Sequence, residues 1–245
     1  MANLTLYHNN VLIGSEISAS EMEDLSSPYF LADDRLSFKM TATGIHTTIQ
    51  IDQPGSAIDP FQYLVLVDHT MTGGEVVVRT FPTDARATET VLFSGTLTSA
   101  DPNVIDLTLQ TGKQYIDVEL TASGINKASA GELMLASLFE SPQRPQEGIN
   151  TQYLPRRTFI ALENGEVVSI KHAETVRQKE YVIPGLSLDD AGLWIELFKD
   201  NEGAELVVLN DDEGDTYPAY MNQNLGMNTT ARRVSIGLTF VEVKL

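Results

Sequence analysis

Oxygen ligands are the densest chemistry-bearing feature of the chain. Asn210-Asp211-Asp212-Glu213-Gly214-Asp215 places four carboxylates within six residues. Hard cations such as calcium take six to eight oxygens, so Asp211, Asp212, Glu213 and Asp215 are the candidate metal ligands. The run lacks the EF-hand spacing and its bidentate Glu, and an acidic solvated turn is the plainer reading. Ala32-Asp33-Asp34-Arg35 is a smaller run of the same kind. The four histidines, His8, His46, His69 and His172, show no metal-ligand spacing. In Val67-Asp68-His69-Thr70 a carboxylate precedes an imidazole. Neighbours on a strand point to opposite faces, so the pair reads as a polar strand exit, not a catalytic dyad. Tyr29, Phe30, Tyr217 and Tyr220 are the loop aromatics that could stack on a sugar ring, with ordinary packing as the alternative. Trp194 falls in a helical apolar stripe and reads as core. No HExxH, GxSxG, GxGxxG or glycine-rich phosphate loop occurs. With no cysteine, disulfides and thiolate chemistry are excluded.

The elements that would carry these residues are mostly strands. In the first half, short β runs are expected at Arg35–Thr41, Thr47–Ile51, Tyr63–Val67, Glu75–Phe81, Thr90–Phe93, Val104–Leu109, Tyr115–Leu120 and Glu132–Leu138. Ile116, Val118 and Leu120 alternate with Asp117 and Glu119, the period of two of a strand with one buried face. Tyr63-Leu64-Val65-Leu66-Val67 is apolar on both faces and should be central. Gln53-Pro54-Gly55, Thr72-Gly73-Gly74 and Thr111-Gly112-Lys113 supply turns.

A connector at 139–155, with Pro142, Pro145 and Pro155, separates segment 1–138 from segment 156–245. The second segment opens with a hairpin, Thr158–Glu163 and Val167–His172 around Asn164-Gly165. Arg177–Ile183 and Ala204–Leu209 are further strands. A short helix is expected near 187–199. Ser187 caps it, Asp190 completes a short capping box, and Leu193, Trp194, Leu197 and Phe198 form its apolar stripe. Arg233–Phe240 alternates cleanly, and Val241-Glu242-Val243 breaks the pattern, as a bulge or two-sided burial would. The fold class is mainly β: an N-terminal sandwich and a C-terminal β-rich domain with one short helix.

The chain has 245 residues, 42% of them hydrophobic, with a formal net charge of -18. That charge disfavours direct nucleic-acid contact and anionic membranes, and favours basic or neutral partners. No stretch is long and apolar enough to span a membrane. The N-terminus has neither the basic nor the apolar region of a signal peptide, so synthesis in a cytosol is expected.

Leu31-Ala32-Asp33-Asp34-Arg35-Leu36-Ser37-Phe38, Ile49-Gln50-Ile51-Asp52 and Leu64-Val65-Leu66-Val67-Asp68-His69-Thr70-Met71-Thr72-Gly73 together resemble the discoidin-like, galactose-binding-like jelly rolls of tailed-phage structural proteins. Asp33-Asp34 stands where the family has an Asp-Gly-Asp loop, and Phe38 near the place of its usual Trp. Gly131-Glu132-Leu133-Met134-Leu135-Ala136 followed by Pro142-Gln143-Arg144-Pro145 is similar to the exit of such domains. The resemblance implies a virion component of the tail or its fibre-attachment apparatus. It would act without catalysis, through homo-oligomeric contacts and contacts with other virion proteins. It implies no cofactor, calcium being the one metal candidate. The alternative is a carbohydrate-binding module for host surface glycans. A third reading, a polysaccharide hydrolase, needs a carboxylate pair in a cleft.

Overall fold

A computed structural model describes residues 3–13, 15–24, 26–32, 39–53, 57–99, 101–146, 150–154, 157–161, 167–171, 175–200, 206–211, 213–221, 226–230 and 233–243. The expectations placed on Asp33, Asp34, Arg35, Phe38, Pro54-Gly55, Pro155, Asn164-Gly165, His172 and Asp212 lie outside these residues. The chain divides into two units. One is Tyr7–Phe139; the other is Glu140–Leu245 together with Met1–Leu6.

The first eleven strands are β1 (Thr5–His8), β2 (Glu16–Ala19), β3 (Met40–Thr41), β4 (His46–Asp52), β5 (Phe61–Val67), β6 (Glu75–Phe81), β7 (Thr90–Thr96), β8 (Asn103–Gln110), β9 (Tyr115–Thr121), β10 (Ser129–Ala130) and β11 (Glu132–Glu140). Within Tyr7–Phe139, five strands form one antiparallel sheet in the order β2-β4-β9-β6-β7. Facing it, β5 lies between β11 and β8, again antiparallel. The chain crosses repeatedly between the two sheets, which makes the unit a jelly-roll sandwich. The reason is the period of two. Ile49, Ile51, Val76, Val78, Ile116, Val118 and Leu120 from one sheet and Leu64, Leu66, Ile105, Leu107, Leu133 and Leu135 from the other share a single buried cluster. β5 is covered on both faces, since Val65 and Val67 are buried as well as Leu64 and Leu66.

The outward face of the five-stranded sheet carries the charges the alternation puts there. Arg86 reaches Asp117 at 2.7 Å and also pairs with Asp52. Arg79 pairs with Glu119 and lies 3.0 Å from Glu89. Two arginines thus tie β4, β6 and β9 across their solvent side, with Arg86 over the rings of Phe81 and Tyr115.

The sequence reading missed β1 and β2. They are four residues each, with inward residues (Leu4 before β1, Leu6 within it, Ile17 in β2) set singly among polar ones. The expected strand at Arg35–Thr41 is described only at Met40–Thr41.

In the other unit the elements are β12 (Asn150–Leu154), β13 (Arg157–Ala161), β14 (Val167–Lys171), β15 (Val176–Leu186), α1 (Leu188–Asp200), β16 (Leu206–Asn210), β17 (Thr216–Met221), β18 (Gly226–Thr230) and β19 (Arg233–Glu242). Strands run β12-β15-β19-β17-β16, with β18 also on β19. The expected hairpin is present as β13 against β14. The proline-rich connector is largely structured. Its first residues finish β11, Ser141 N–H donates to Leu4 O at 2.8 Å, Gln146 N–H donates to Val182 O at 2.7 Å, and 150–154 pair with β15.

Helix α1 is capped as its sequence dictates. Asp190 N–H donates to Ser187 Oγ at 3.0 Å, and Ser187 Oγ donates to the Asp190 carboxylate at 2.7 Å. Its buried stripe is Ala191, Trp194 and Leu197, facing β15 and β19. Leu193, expected in the stripe, is 48% exposed because it sits at the border of that face. The expected break at Val241-Glu242-Val243 is absent. The alternation of β19 continues through Glu242, a buried carboxylate in the place of an apolar residue. The irregularity lies instead in β15, between Ile183 and Leu186, where Gly185 takes φ +71.

Two substitutions check this packing. Leu64→Ala should cost about 2–5 kcal/mol in urea unfolding, from lost burial and a residual cavity. Gly74→Ala should destabilise through the backbone, because the added Cβ would lie 2.0 Å from Thr121 O, where β6 enters the sheet.

Candidate functional site

β3 is a short strand flanked on both sides. Thr41 and Met40 pair with Ser129 and Ala130 of β10. On the other side Met22 bridges Ala42, and Glu23 N–H donates to Thr41 O at 3.1 Å. Period two then sorts the residues. Met40 and Ala42 are fully buried in the sandwich core, while Lys39, Thr41 and Thr43 face outward. Those three line a cleft of about 460 Å³ with Glu23, Asp24 and Ser26. Each of these described lining side chains carries a hydroxyl, a carboxylate or an ammonium.

These groups are held in defined states. Lys39 Nζ lies 2.6 Å from Asp68 Oδ1, and Lys127 pairs with Glu23. Asp68 has φ 52, and its N–H donates to Asp101 Oδ1 at 2.7 Å. Burial pushes the Asp101 carboxyl above its usual range, against the pull of the Asp68 amide. Ser26 Oγ accepts from Thr41 N–H at 2.8 Å, and Thr43 Oγ1 donates to Glu21 O at 3.1 Å. A turn of 3-10 helix, Pro28–Leu31, capped by Ser27, packs on β2 and β3 and carries Tyr29, which is 56% exposed.

The sequence candidates fall in different places. Tyr29 and Phe30 sit on that turn, and Phe30 is half-buried. Tyr217 and Tyr220 belong to β17 of the other unit. Tyr217 is no exposed loop aromatic: it is 5% exposed, and the Arg177 guanidinium lies 4.1 Å from its ring centroid. Asp68 and His69 have separate partners, Asp68 Oδ1 lying 2.6 Å from Lys39 Nζ. His69 Nδ1 accepts from Met71 N–H at 3.2 Å, and its Nε2 faces Asn103 Nδ2 at 2.8 Å. The cleft residues Glu23, Asp24, Ser26, Lys39, Thr41 and Thr43 were missed. Only Lys39, Thr41 and Thr43 carried a signal, their alternation with Met40 and Ala42.

After β16, Asp211 N–H donates to Asp215 O at 2.9 Å and Gly214 N–H to Asp211 O at 3.1 Å. Ligand atoms of Asp211, Glu213 and Asp215 lie within 4.8 Å of one another. The place of a cation is taken by a side chain: Lys179 Nζ lies 2.6 Å from Asp211 Oδ2 and 2.9 Å from Glu213 Oε2. Asp211 Oδ1 accepts from the Glu213 and Asp215 amides at 2.9 and 3.0 Å. Arg177 lies 2.9 Å from Asp215 and 3.7 Å from Glu242. Burial lowers the Lys179 pKa, and its hydrogen bonds to Asp211 and Glu213 outweigh that, so the net shift is upward. Burial pushes the Tyr217 hydroxyl up to about 12.

No protein-family model matches the chain, and no curated protein matches it. Among solved structures, a chitosan-binding module of a chitosanase/glucanase from Paenibacillus sp. IK-5 is 14% identical, with 54% of this chain and 99% of that one covered and a TM-score of 0.45. A family 32 carbohydrate-binding module from C. perfringens, in complex with galactose, is 10% identical over 54% of this chain and 99% of that one, TM-score 0.44. A family 32 module in complex with 4,5-unsaturated mannuronic acid is 20% identical over 52% and 95%, TM-score 0.40. At such identities and scores the fold assignment stands on this chain's own sheet topology. The expectation of a virion component finds no support in the fold or in these likenesses.

The buried ion pair generates a stability prediction. Lys179→Met should cost about 3–5 kcal/mol in urea unfolding, by stranding the Asp211 carboxylate without its cation. Both Lys179 and Tyr217 have raised folded-state values, so their contribution is complete below the unfolded values and lost as pH rises through the folded ones. Stability should therefore decline as pH climbs from about 10 towards about 12, and Tyr217→Phe should make that decline shallower.

Proposed function

We propose that the Tyr7–Phe139 sandwich is a non-catalytic carbohydrate-binding module that holds a sugar in the cleft beside β3. The observation that carries this reading is the cleft wall: its described residues present six polar side chains, on a surface set by a strand whose other face is locked in the core. Sugars present hydroxyls that both donate and accept, and a wall of that composition can answer them. Exposed Tyr29, on the neighbouring turn, offers an aromatic face. Glu23 is engaged by Lys127 and Lys39 by Asp68, so these charges are held in place to orient a ligand. The galactose-bound and chitosan-binding modules named above belong to the same functional class. The glycan reading thus stands ahead of the virion reading, which rests on sequence resemblance alone. Among the described residues no helix is long and apolar enough to cross a membrane.

The test is glycan-array screening followed by calorimetric titration of the whole chain. Thr41→Val keeps the side-chain shape and removes the hydroxyl. It should weaken sugar binding by about tenfold, the worth of one hydrogen bond, with the melting temperature unchanged. Tyr29→Ala should weaken it further if the ring stacks. Failure to bind any glycan across the array sinks the proposal.

A further inference from the structure

Resting on that reading of the cleft, we infer that its ligand is cationic: an oligosaccharide of amino sugars bearing free ammonium groups. The argument is the state of each charge in the wall. Glu23 is neutralised by Lys127, and Lys39 by Asp68. Asp24 is exposed, lines the same cleft, and has no ion-pair partner among the described residues. Among the described residues the cleft therefore holds one charge without an ion-pair partner, and it is negative.

The hydroxyls complete the set. Ser26 Oγ accepts from the Thr41 amide and keeps its own proton to donate. Thr43 Oγ1 donates to Glu21 O and keeps its lone pairs to accept. Thr41 Oγ1 makes no hydrogen bond among the described residues. A sugar with one ammonium and neighbouring hydroxyls answers all of these groups together. An acidic sugar would bring a carboxylate towards Asp24, while Lys39, the one cation among the described lining residues, is already paired. A neutral sugar would answer Asp24 with a hydroxyl donor but leave its charge unmatched. The long-range field points the same way, because a chain of net charge -18 attracts a polycation and repels a polyanion.

The experiment compares glucosamine oligomers with N-acetylglucosamine oligomers of equal length, titrated into the whole chain in mildly acidic, low-salt buffer where the sugar amines are charged. The wild type should bind the free-amine series about two- to fivefold tighter, the effect of one exposed ion pair. Asp24→Asn, isosteric and on the surface, should bring the two series to equal affinity. Glu196→Gln removes an exposed charge from helix α1 and controls for bulk attraction; it should leave the preference intact. Equal binding of both series by the wild type would overturn the cationic assignment while leaving the module a glycan binder. An equal loss in Asp24→Asn and Glu196→Gln would overturn it too, by showing the attraction to be general. Binding of neither series, nor of any other glycan, would remove the cleft reading itself.

Discussion

Everything at the candidate site depends on the anchoring of Met40 and Ala42 in the sandwich core. Both are fully buried, so the backbone between them cannot rotate without opening the core. Lys39, Thr41 and Thr43 are thereby aimed at the cleft. The two flanking segments, 21–23 and 128–130, take up the backbone hydrogen bonds of this short strand. A polar wall built on loops alone would have to pay for its ordering when a ligand arrives. Here folding has already ordered it, and that pre-organisation is what a rigid binding surface requires.

The two units handle buried charge differently. In the Tyr7–Phe139 unit, Asp52, Asp117, Glu119, Asp68 and Glu23 lie on the outer face of the sheet or near strand ends, where Arg86, Arg79, Lys39 and Lys127 meet them, and the buried Glu132 accepts from Asn10 Nδ2. In the other unit Lys179 and Asp211 are inside, at 2% and 0% side-chain exposure. Such a pair adds little net stability over well-packed apolar residues, because desolvation offsets much of the attraction. Its effect is on specificity. A register slip of β15 would strand the lysine, so the pair ties β15 to the turn after β16. Glu242, at an inward position of β19, is tied by Arg177 in the same way.

The acidic run 210–215 shows how local sequence misleads about charge. Four carboxylates in six residues resemble a cation site, and two of them, Asp211 and Glu213, do hold a cation. That cation is the ammonium of Lys179, more than thirty residues earlier, delivered by strand pairing. The cleft has the opposite history. Its residues are ordinary ones from two segments, 23–26 and 39–43, and nothing in either marks it as a site until β3 lies against the first.

The sequence alone determined the elements with strong period. The alternation at 115–120 and 233–240, the apolar run at 63–67 and the Ser187 cap each have a local physical cause, a buried face or a satisfied helix end. Strands β1, β2, β12, β17 and β18 escaped, because they are short, carry few inward apolar residues, or in β17 contain Pro218, which lacks a donor. Only the tertiary structure decided the site. Whether a carboxylate such as Glu23, Asp24 or Asp211 is free or neutralised depends on which distant lysine the fold brings to it, and pairing at long sequence separation leaves no mark in local pattern.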